Sequence, residues 1–300
     1  MEKQRLLISG ANGLLGKTTL IKLSSKYSVF AIVREIPAHE TVPGVIYIEL
    51  DLSSDWDVSL LPSEMDIIVH VAQSNKYKDF PSSAMEVFNV NLTSTMKLLD
   101  YGHRAAIKKF VLASTGGLYA QNRLPLTEDS DIFSPDKLTH YLGTKLSSEV
   151  FATNYRPFFH VDILRIFFMY GPGQKSNMLI PRLISSIQKG DPILLAGDSG
   201  IRLNPIFVED VVDIIASRLL SDDSQVFNVA GQEVVNFRQL SEIIGELIGK
   251  KPVFDIKGSQ PDLVSEFHRC VEFLGGMGTP LHLGLSRTIN WFDENSDSRL

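Results

Sequence analysis

Residues 6 to 16, Leu-Leu-Ile-Ser-Gly-Ala-Asn-Gly-Leu-Leu-Gly, carry an apolar strand pattern into a G-x-x-G-x-x-G loop and on into a helical pattern. Each glycine has a physical task at this spacing. Gly10 takes the tight turn out of the strand, Gly13 lets backbone approach a pyrophosphate, and Gly16 lets the helix pack closely on the sheet. The pyrophosphate then rests on the free N–H groups at the helix N-terminus. The spacing alone also fits an ordinary strand-to-helix turn; it points to a dinucleotide because strand, loop and helix occur here in that order.

Short β-rich runs alternate with amphipathic helical stretches outward from this loop. The pattern predicts strands over Leu6 to Ser9, Val29 to Val33, Val45 to Leu50, Ile67 to Val71, Phe110 to Ala113 and Val161 to Ile166. Helices are predicted over Leu14 to Ser25, Ala84 to Arg104 and Leu138 to Asn154. This alternation implies βαβ units, hence an α/β fold with a doubly wound parallel sheet covered on both faces. After Tyr170-Gly171-Pro172-Gly173 the rhythm changes to a helix over Ile180 to Gln188, a short strand near Ile193 to Leu195, a turn at Gly197 to Gly200, a strand at Pro205 to Val208 and a helix from Asp210. No internal repeat or low-complexity tract occurs, and the run from Glu294 to Leu300 is polar and expected to fray.

Composition narrows the function classes. Three hundred residues, 44% of them hydrophobic and 21% charged, suffice for one large core or one full domain with a smaller one attached. A net charge of −6 and a pI near 5.7 argue against a nucleic-acid-binding surface, though not against a local basic pocket for phosphates. Cys270 is the only cysteine, so no intrachain disulfide forms and a reducing compartment is expected. The first strand begins too close to Met1 for a signal peptide, and no apolar run reaches the roughly 18 residues of a membrane span. A cytoplasmic protein without membrane or metal partners is the expectation.

Tyr141 and Lys145 stand four apart in a helical stretch, so their side chains leave one face on successive turns. A tyrosine at its free pKa of about 10 is a poor base at neutral pH, and a neighbouring ammonium favours the phenolate. Tyr141 is thereby a candidate proton donor or acceptor. Thr115, just past the strand over Phe110 to Ala113, offers a hydroxyl to share a substrate oxygen with it. Taken alone, such a Tyr-x-x-x-Lys pair is an ordinary solvated helix face.

The order of further motifs changes that weighting. Asp51-Leu52 follows the third strand, His70-Val71-Ala72 the fourth, and Asn91 opens Asn-Leu-Thr-Ser-Thr. Then come Ala113-Ser114-Thr115 with Tyr119, the Tyr141 to Lys145 pair, Leu164-Arg165, Tyr170-Gly171-Pro172-Gly173, and Asn204-Pro205-Ile206-Phe207-Val208-Glu209-Asp210. From Leu6 to about Phe292 the chain resembles the extended short-chain dehydrogenase/reductases, specifically the NAD(P)-dependent nucleotide-sugar epimerase/dehydratase family. That resemblance implies a Rossmann-like dinucleotide-binding domain over 1–170, to which later segments return, and a smaller mixed α/β substrate-binding region over 171–300. It implies Thr115, Tyr141 and Lys145 as catalytic residues. It further implies cofactor contacts from Gly10, Asn12, Gly13, Leu14, Leu15, Gly16, Asp51, Leu52, Ala72, Tyr141 and Lys145, with Asp51 and Leu52 at the adenine and Lys145 on the nicotinamide ribose. Thr115 would bind the reacting oxygen, and Asn177 and Arg202 the nucleotide diphosphate. Plainer roles stay open: Asp51 as a turn cap, Asn91 as a helix anchor, Asp210 as a helix N-cap.

Departures from the family pattern refine the chemistry. Val33-Arg34 ends the second strand where NAD-preferring relatives place an acid; a guanidinium there suits a 2′-phosphate, so NADP is expected over NAD. Gly116 and Gly117 stand where dehydratases of the family carry Asp-Glu. Neither glycine transfers a proton, which argues against 4,6-dehydration. Arg165-Ile166-Phe167-Phe168 lacks the family's asparagine, which puts the usual sugar-phosphate contact in question. Arg34 tilts the expectation toward reduction of a 4-keto nucleotide sugar, with a nucleotide-sugar 4-epimerase as the near alternative. A reductase of a non-sugar carbonyl and a cofactor-sensing regulator stand further off. The helices over Ala84 to Arg104 and Leu138 to Asn154 resemble those through which relatives dimerise, so a homodimer is expected, with Val87, Leu98, Val150 and Phe151 as contributors.

Overall fold

The computed structural model describes residues 3–38, 41–120 and 124–295, so most of the polar C-terminal run, residues 296–300, lies outside the described residues. Two compact units are seen. The first comprises residues 1–118, 132–166 and 212–227, and the second residues 119–131, 167–211 and 228–300.

The first unit is built on a seven-stranded sheet. Its strands are β1 (Arg5–Ser9), β2 (Ser28–Val33), β3 (Ile46–Glu49), β4 (Ile67–His70), β5 (Lys109–Thr115), β6 (His160–Ile166) and, after four short strands of the second unit, β11 (Val226–Val229), whose last two residues are counted with the second unit. The order is β3-β2-β1-β4-β5-β6-β11, and the five pairings from β3 to β6 are parallel. Leu7, Ile8, Ile68, Val69, Phe110 and Val111 are fully buried. Such near-continuous apolar strands require cover on both faces. Edge strand β3, by contrast, leaves Ile46 exposed. Helices α1 (Leu14–Leu23), α2 (Ala84–Phe88), α3 (Ser94–Arg104) and α4 (His140–Asn154) supply cover, with Leu98, Leu99 and Ala152 in the same apolar cluster as Leu7, Ile68, Phe110 and Ile163. Each of the leucine, isoleucine and phenylalanine side chains contributes roughly 1.5–3 kcal/mol by burial.

The single helix expected over Ala84 to Arg104 is interrupted. Residues Asn89–Thr93 form a π-helical turn between α2 and α3. Two hydroxyls bond back into the widened turn, Ser94 Oγ to Val90 O and Thr95 Oγ1 to Asn91 O at 2.6 Å. The Asn91 carboxamide is held at both ends: Oδ1 accepts from Ser74 N–H at 3.2 Å, and Nδ2 donates to Thr144 Oγ1 at 3.1 Å. Asn91 therefore ties this helix to α4 and to the loop after β4. Of the four apolar residues expected at a dimer face, Val87 and Leu98 are buried within the chain, whereas Val150 and Phe151 are exposed.

The second unit holds three two-stranded sheets. β7 (Met169–Tyr170) pairs in parallel with β10 (Ile206–Phe207), β8 (Ile193–Leu195) in parallel with β13 (Phe254–Ile256), and β9 (Arg202–Leu203) antiparallel with β12 (Val235–Asn236). Helices α5 (Leu179–Lys189), α7 (Phe237–Ile248) and α9 (Leu281–Glu294) bury Leu183, Ile187, Leu240, Ile244 and Leu285 in one core, and α8 (His268–Leu274) carries buried Cys270. α6 (Val208–Arg218) starts two residues earlier than expected. Asp210 is thus not an N-cap; its carboxylate accepts from Thr279 N–H at 2.8 Å and from Thr279 Oγ1 at 2.7 Å.

A buried polar network fixes the carboxyl ends of β1 and β4. His70 lies between Ser9 Oγ, 2.5 Å from Nδ1, and Thr95 Oγ1, 3.0 Å from Nε2. Thr95 spends its only proton on Asn91 O, so Nε2 must be the donor and Nδ1 must accept from Ser9. Burial, followed by the Lys145 charge, pushes His70 down to about 3. The folded chain therefore keeps His70 neutral, whereas the unfolded chain protonates it below about 6.5. Stability contributed by this residue is present above pH 6.5 and is lost as pH falls toward 3, with a limiting slope of about 1.4 kcal/mol per pH unit. Urea titrations at pH 7 and pH 5 should show a smaller drop for His70→Asn than for the parent chain; equal drops would rule out His70 as the source.

Candidate active site

The chain leaves β1 and β4 in opposite directions along the sheet, which opens a crevice at their carboxyl ends. Gly10 turns there with φ +72°, and a Cβ on it would lie 2.7 Å from Ala72 Cα. A Cβ on Gly16 would lie 2.2 Å from Gly10 O. Only hydrogen fits at either place, so α1 starts directly against the loop. The first helical bond of α1 runs from Lys17 N–H to Gly13 O at 2.8 Å. The preceding N–H groups, at Leu14, Leu15 and Gly16, are left by helix geometry without an intrahelical acceptor, no side chain caps them, and no acid occupies the first turn. Such a cradle fits an anionic pyrophosphate. Asn12 Nδ2 braces it by donating to Glu35 O at 2.8 Å, and the Leu15 side chain is buried.

At the end of β2, exposed Arg34 places Nε 3.6 Å from Asp51 Oδ1. The same Asp51 oxygen accepts from Ser53 N–H at 3.0 Å and from Ser53 Oγ at 2.8 Å. The Ser53 backbone bond, then the Ser53 hydroxyl and Arg34, hold the Asp51 carboxyl below its usual range. The Arg34 guanidinium is thus partly engaged by a carboxylate. Leu52 is buried in the sheet's apolar cluster, and Ala72 closes it beside Gly10.

Strand β5 and helix α4 bring Thr115, Tyr141 and Lys145 together. Thr139 starts α4 by accepting from Leu142 N–H at 3.3 Å through Oγ1. Lys145 is buried and donates from Nζ to Ala113 O at 2.9 Å. Burial lowers it to about 8, against the opposing charge of Glu149. Tyr141 is pushed up to about 12 by burial; a hydrogen bond with Thr115 opposes this and Tyr77 adds to it. Burial thus opposes the expected lysine-stabilised phenolate, and the Lys145 amine is bonded to a backbone carbonyl. Thr115 Oγ1 accepts from Gly117 N–H at 3.1 Å.

Two residues that sequence reading passed over complete this group. Tyr141 Oη donates to Gln73 Oε1 at 3.0 Å, and the Tyr77 ring lies 5.1 Å from the Tyr141 ring. Both sit on the loop that follows His70-Val71-Ala72, where no sequence pattern marks them. In the second unit, Arg202 is paired with Asp262, Nε to Oδ2 at 2.7 Å, and its own N–H donates to the other carboxylate oxygen at 2.7 Å. Asn177 is exposed in the turn ahead of α5. Phe168 adopts φ +29°, uncommon for a bulky residue, and packs on the apolar clusters of Tyr170 and of Tyr119. Among the described residues no group of three or more metal-ligating side chains converges, and no helix is long and apolar enough to cross a membrane.

The sequence model of the NAD dependent epimerase/dehydratase family matches residues 6–230. The chain belongs to that family. A UDP-glucuronate 4-epimerase from Thermodesulfobacterium geofontis is 28% identical over 239 residues, 76% of this chain and 72% of that protein. Among solved structures, MoeE5 in complex with UDP-glucuronic acid and NAD is 25% identical with a TM-score of 0.84, covering 97% of this chain and 99% of that one. The UDP-glucuronic acid 4-epimerase from Bacillus cereus, solved with UDP-glucuronic acid and NAD, shares the fold at 22% identity and a TM-score of 0.84, covering 97% and 99%.

These complexes contain NAD, and they overturn the expectation of NADP drawn from Arg34. The Arg34 to Asp51 pairing gives the physical reason: a carboxylate beside the guanidinium neutralises part of its charge and would repel a 2′-phosphate. NAD should therefore raise the melting temperature more than NADP at equal concentration. Gly10→Ala should abolish the NAD-induced rise, since its methyl would strike Ala72. A larger rise with NADP, or an unchanged rise in the variant, would contradict this assignment.

Proposed function

We propose that the protein is an NAD-dependent 4-epimerase of a UDP-linked hexose or hexuronic acid. The carrying observation is that Thr115, Tyr141 and Lys145 converge beside Gly116 and Gly117, which leaves a hydroxyl proton relay with no additional acid–base pair. Elimination of water needs such a pair. Reduction of a keto sugar, the other expectation, leaned on a phosphate-binding role for Arg34, and that support is gone.

Bound NAD would supply a hydride acceptor at one carbon and return the hydride to the opposite face in the second half-reaction. The chain's own residues handle the oxygen. Tyr141 takes the proton of the sugar 4-hydroxyl at Oη and later gives it back, while Thr115 holds the same oxygen by hydrogen bonding. Lys145, fixed on Ala113 O, places a positive charge one helical turn away and would reach the nicotinamide ribose. Asn177 and Arg202 are assigned to the diphosphate, which would have to compete with Asp262 for the Arg202 guanidinium. On this reading the first unit binds the dinucleotide and the second the nucleotide of the substrate. A homodimer would use exposed Val150 and Phe151 on α4.

Purified protein given NAD and UDP-glucuronic acid or UDP-glucose should interconvert C4 isomers with no net change in NADH absorbance. Tyr141→Phe should cut turnover by about 10²–10⁴-fold with the NAD-induced melting shift retained. In the parent enzyme turnover should rise from pH 6 as the phenolate fraction grows, then level off above about 8, where loss of the Lys145 proton offsets the further gain in phenolate. Net NADH production, or full activity in Tyr141→Phe, would defeat the proposal.

A further inference from the structure

Gln73 has no role in the relay described above, yet its carboxamide is bonded to the reacting phenol. Tyr141 Oη donates to Gln73 Oε1 at 3.0 Å. The backbone on either side is immobilised. Ala72 packs on Gly10 at the crevice, and Ser74 N–H donates to Asn91 Oδ1 at 3.2 Å. Ser74 Oγ donates to Glu86 at 3.1 Å, and Glu86 in turn takes Lys76 Nζ at 2.7 Å. The Gln73 side chain itself is exposed, so its planar end can turn while its attachment stays fixed.

A relay tyrosine needs opposite partners in its two protonation states. As a phenol it requires an acceptor for its proton; as a phenolate it requires donors. A carboxamide offers both on one planar group, and rotation by half a turn exchanges them. We infer that Gln73 is a positioning residue for Tyr141, donating Nε2–H to the phenolate that awaits the sugar proton and accepting the O–H through Oε1 once the sugar hydroxyl has given that proton up and Tyr141 is neutral. The inference rests on the epimerase reading for its second state. The proton moves from the substrate oxygen to Tyr141 Oη, and Gln73 neither gains nor loses one.

The groups facing the phenol allow this effect to be isolated. Tyr77, from the same loop, and Thr115, from β5, are uncharged. Lys145 is one turn along α4 with its amine on Ala113 O, and Glu149, a further turn on, is paired with Arg165 at 2.7 Å. Lys76 and Glu86 neutralise each other. His140, next to Tyr141, is engaged with Ala84 O at 2.9 Å. Gln73 is thus the partner whose replacement changes hydrogen bonding to Oη without disturbing a buried ion pair.

The test uses the full chain loaded with NAD, labelled with ¹³Cζ-tyrosine, in parent, Gln73→Leu and Gln73→Glu forms, with the Tyr141 signal assigned by its loss in Tyr141→Phe. The ionisation midpoint should rise in Gln73→Leu, which cannot donate to the phenolate. It should rise further, by about one pH unit or more, in Gln73→Glu, which adds a negative charge. With UDP-glucuronic acid, kcat at pH 7 should fall about tenfold in Gln73→Glu while KM stays within about twofold. Midpoints unchanged or lowered in both variants would overturn the inference. If the parent enzyme does not turn over the UDP-sugar, the epimerase reading fails on its own, while the spectroscopic midpoints still decide whether Gln73 governs the phenol.

Discussion

The approach of two backbones, Gly10 against Ala72, is the constraint on which the rest of the first unit depends. It occurs where parallel strands β1 and β4 end side by side and the chain departs in opposite directions. His70, held by Ser9 and Thr95, pins the same two strand ends to α3, and Gly16 sets α1 on top of Gly10. A side chain at Gly10 or Gly16 would force these elements apart. The anion cradle and the placement of the loop after β4 are consequences of one steric fact.

Electrostatics in the site follow from burial more than from charge pairing. Desolvation favours the neutral form of Tyr141 and brings Lys145 down to about 8. A cationic ring bound nearby would act on a phenol already bonded to Thr115 and Gln73, so little reorganisation separates rest from reaction. The π-helical turn at Asn89–Thr93 belongs to the same design. It turns Asn91 toward both Ser74 and Thr144, linking the loop that carries Gln73 to the helix that carries Tyr141.

Sequence periodicity was sufficient for strands β1 to β6 but not for β11; the central strands are legible because burial on both faces leaves apolar runs such as Ile67 to Val69 and Phe110 to Leu112. The helix over Ala84 to Arg104 had the expected ends but not the interior, since a π turn depends on hydroxyl back-bonds and a distant asparagine partner. The proximity of Thr115, Tyr141 and Lys145 was legible from spacing and resemblance. Gln73 was not: a glutamine on a loop carries no local pattern, and only the fold brings it to the phenol. Arg34 misled for a related reason. Its meaning depends on Asp51, seventeen positions on, which the sheet places beside it.

One buried ion pair explains how the strand end keeps its geometry. Glu149 accepts from Arg165 Nε and Nη2 and also from Ser114 Oγ. Ser114 lies between Ala113, whose carbonyl holds Lys145, and Thr115, whose hydroxyl meets Tyr141. Removing one partner of such a pair costs about 3–5 kcal/mol, because the other is left charged and dry, whereas an apolar replacement of both is often neutral. Stability alone therefore gives a weak reason for placing charge here. Position gives a stronger one, since three consecutive residues of β5 are each fixed to α4 by a different polar contact, and two of those contacts involve Tyr141 and Lys145 of the proposed relay.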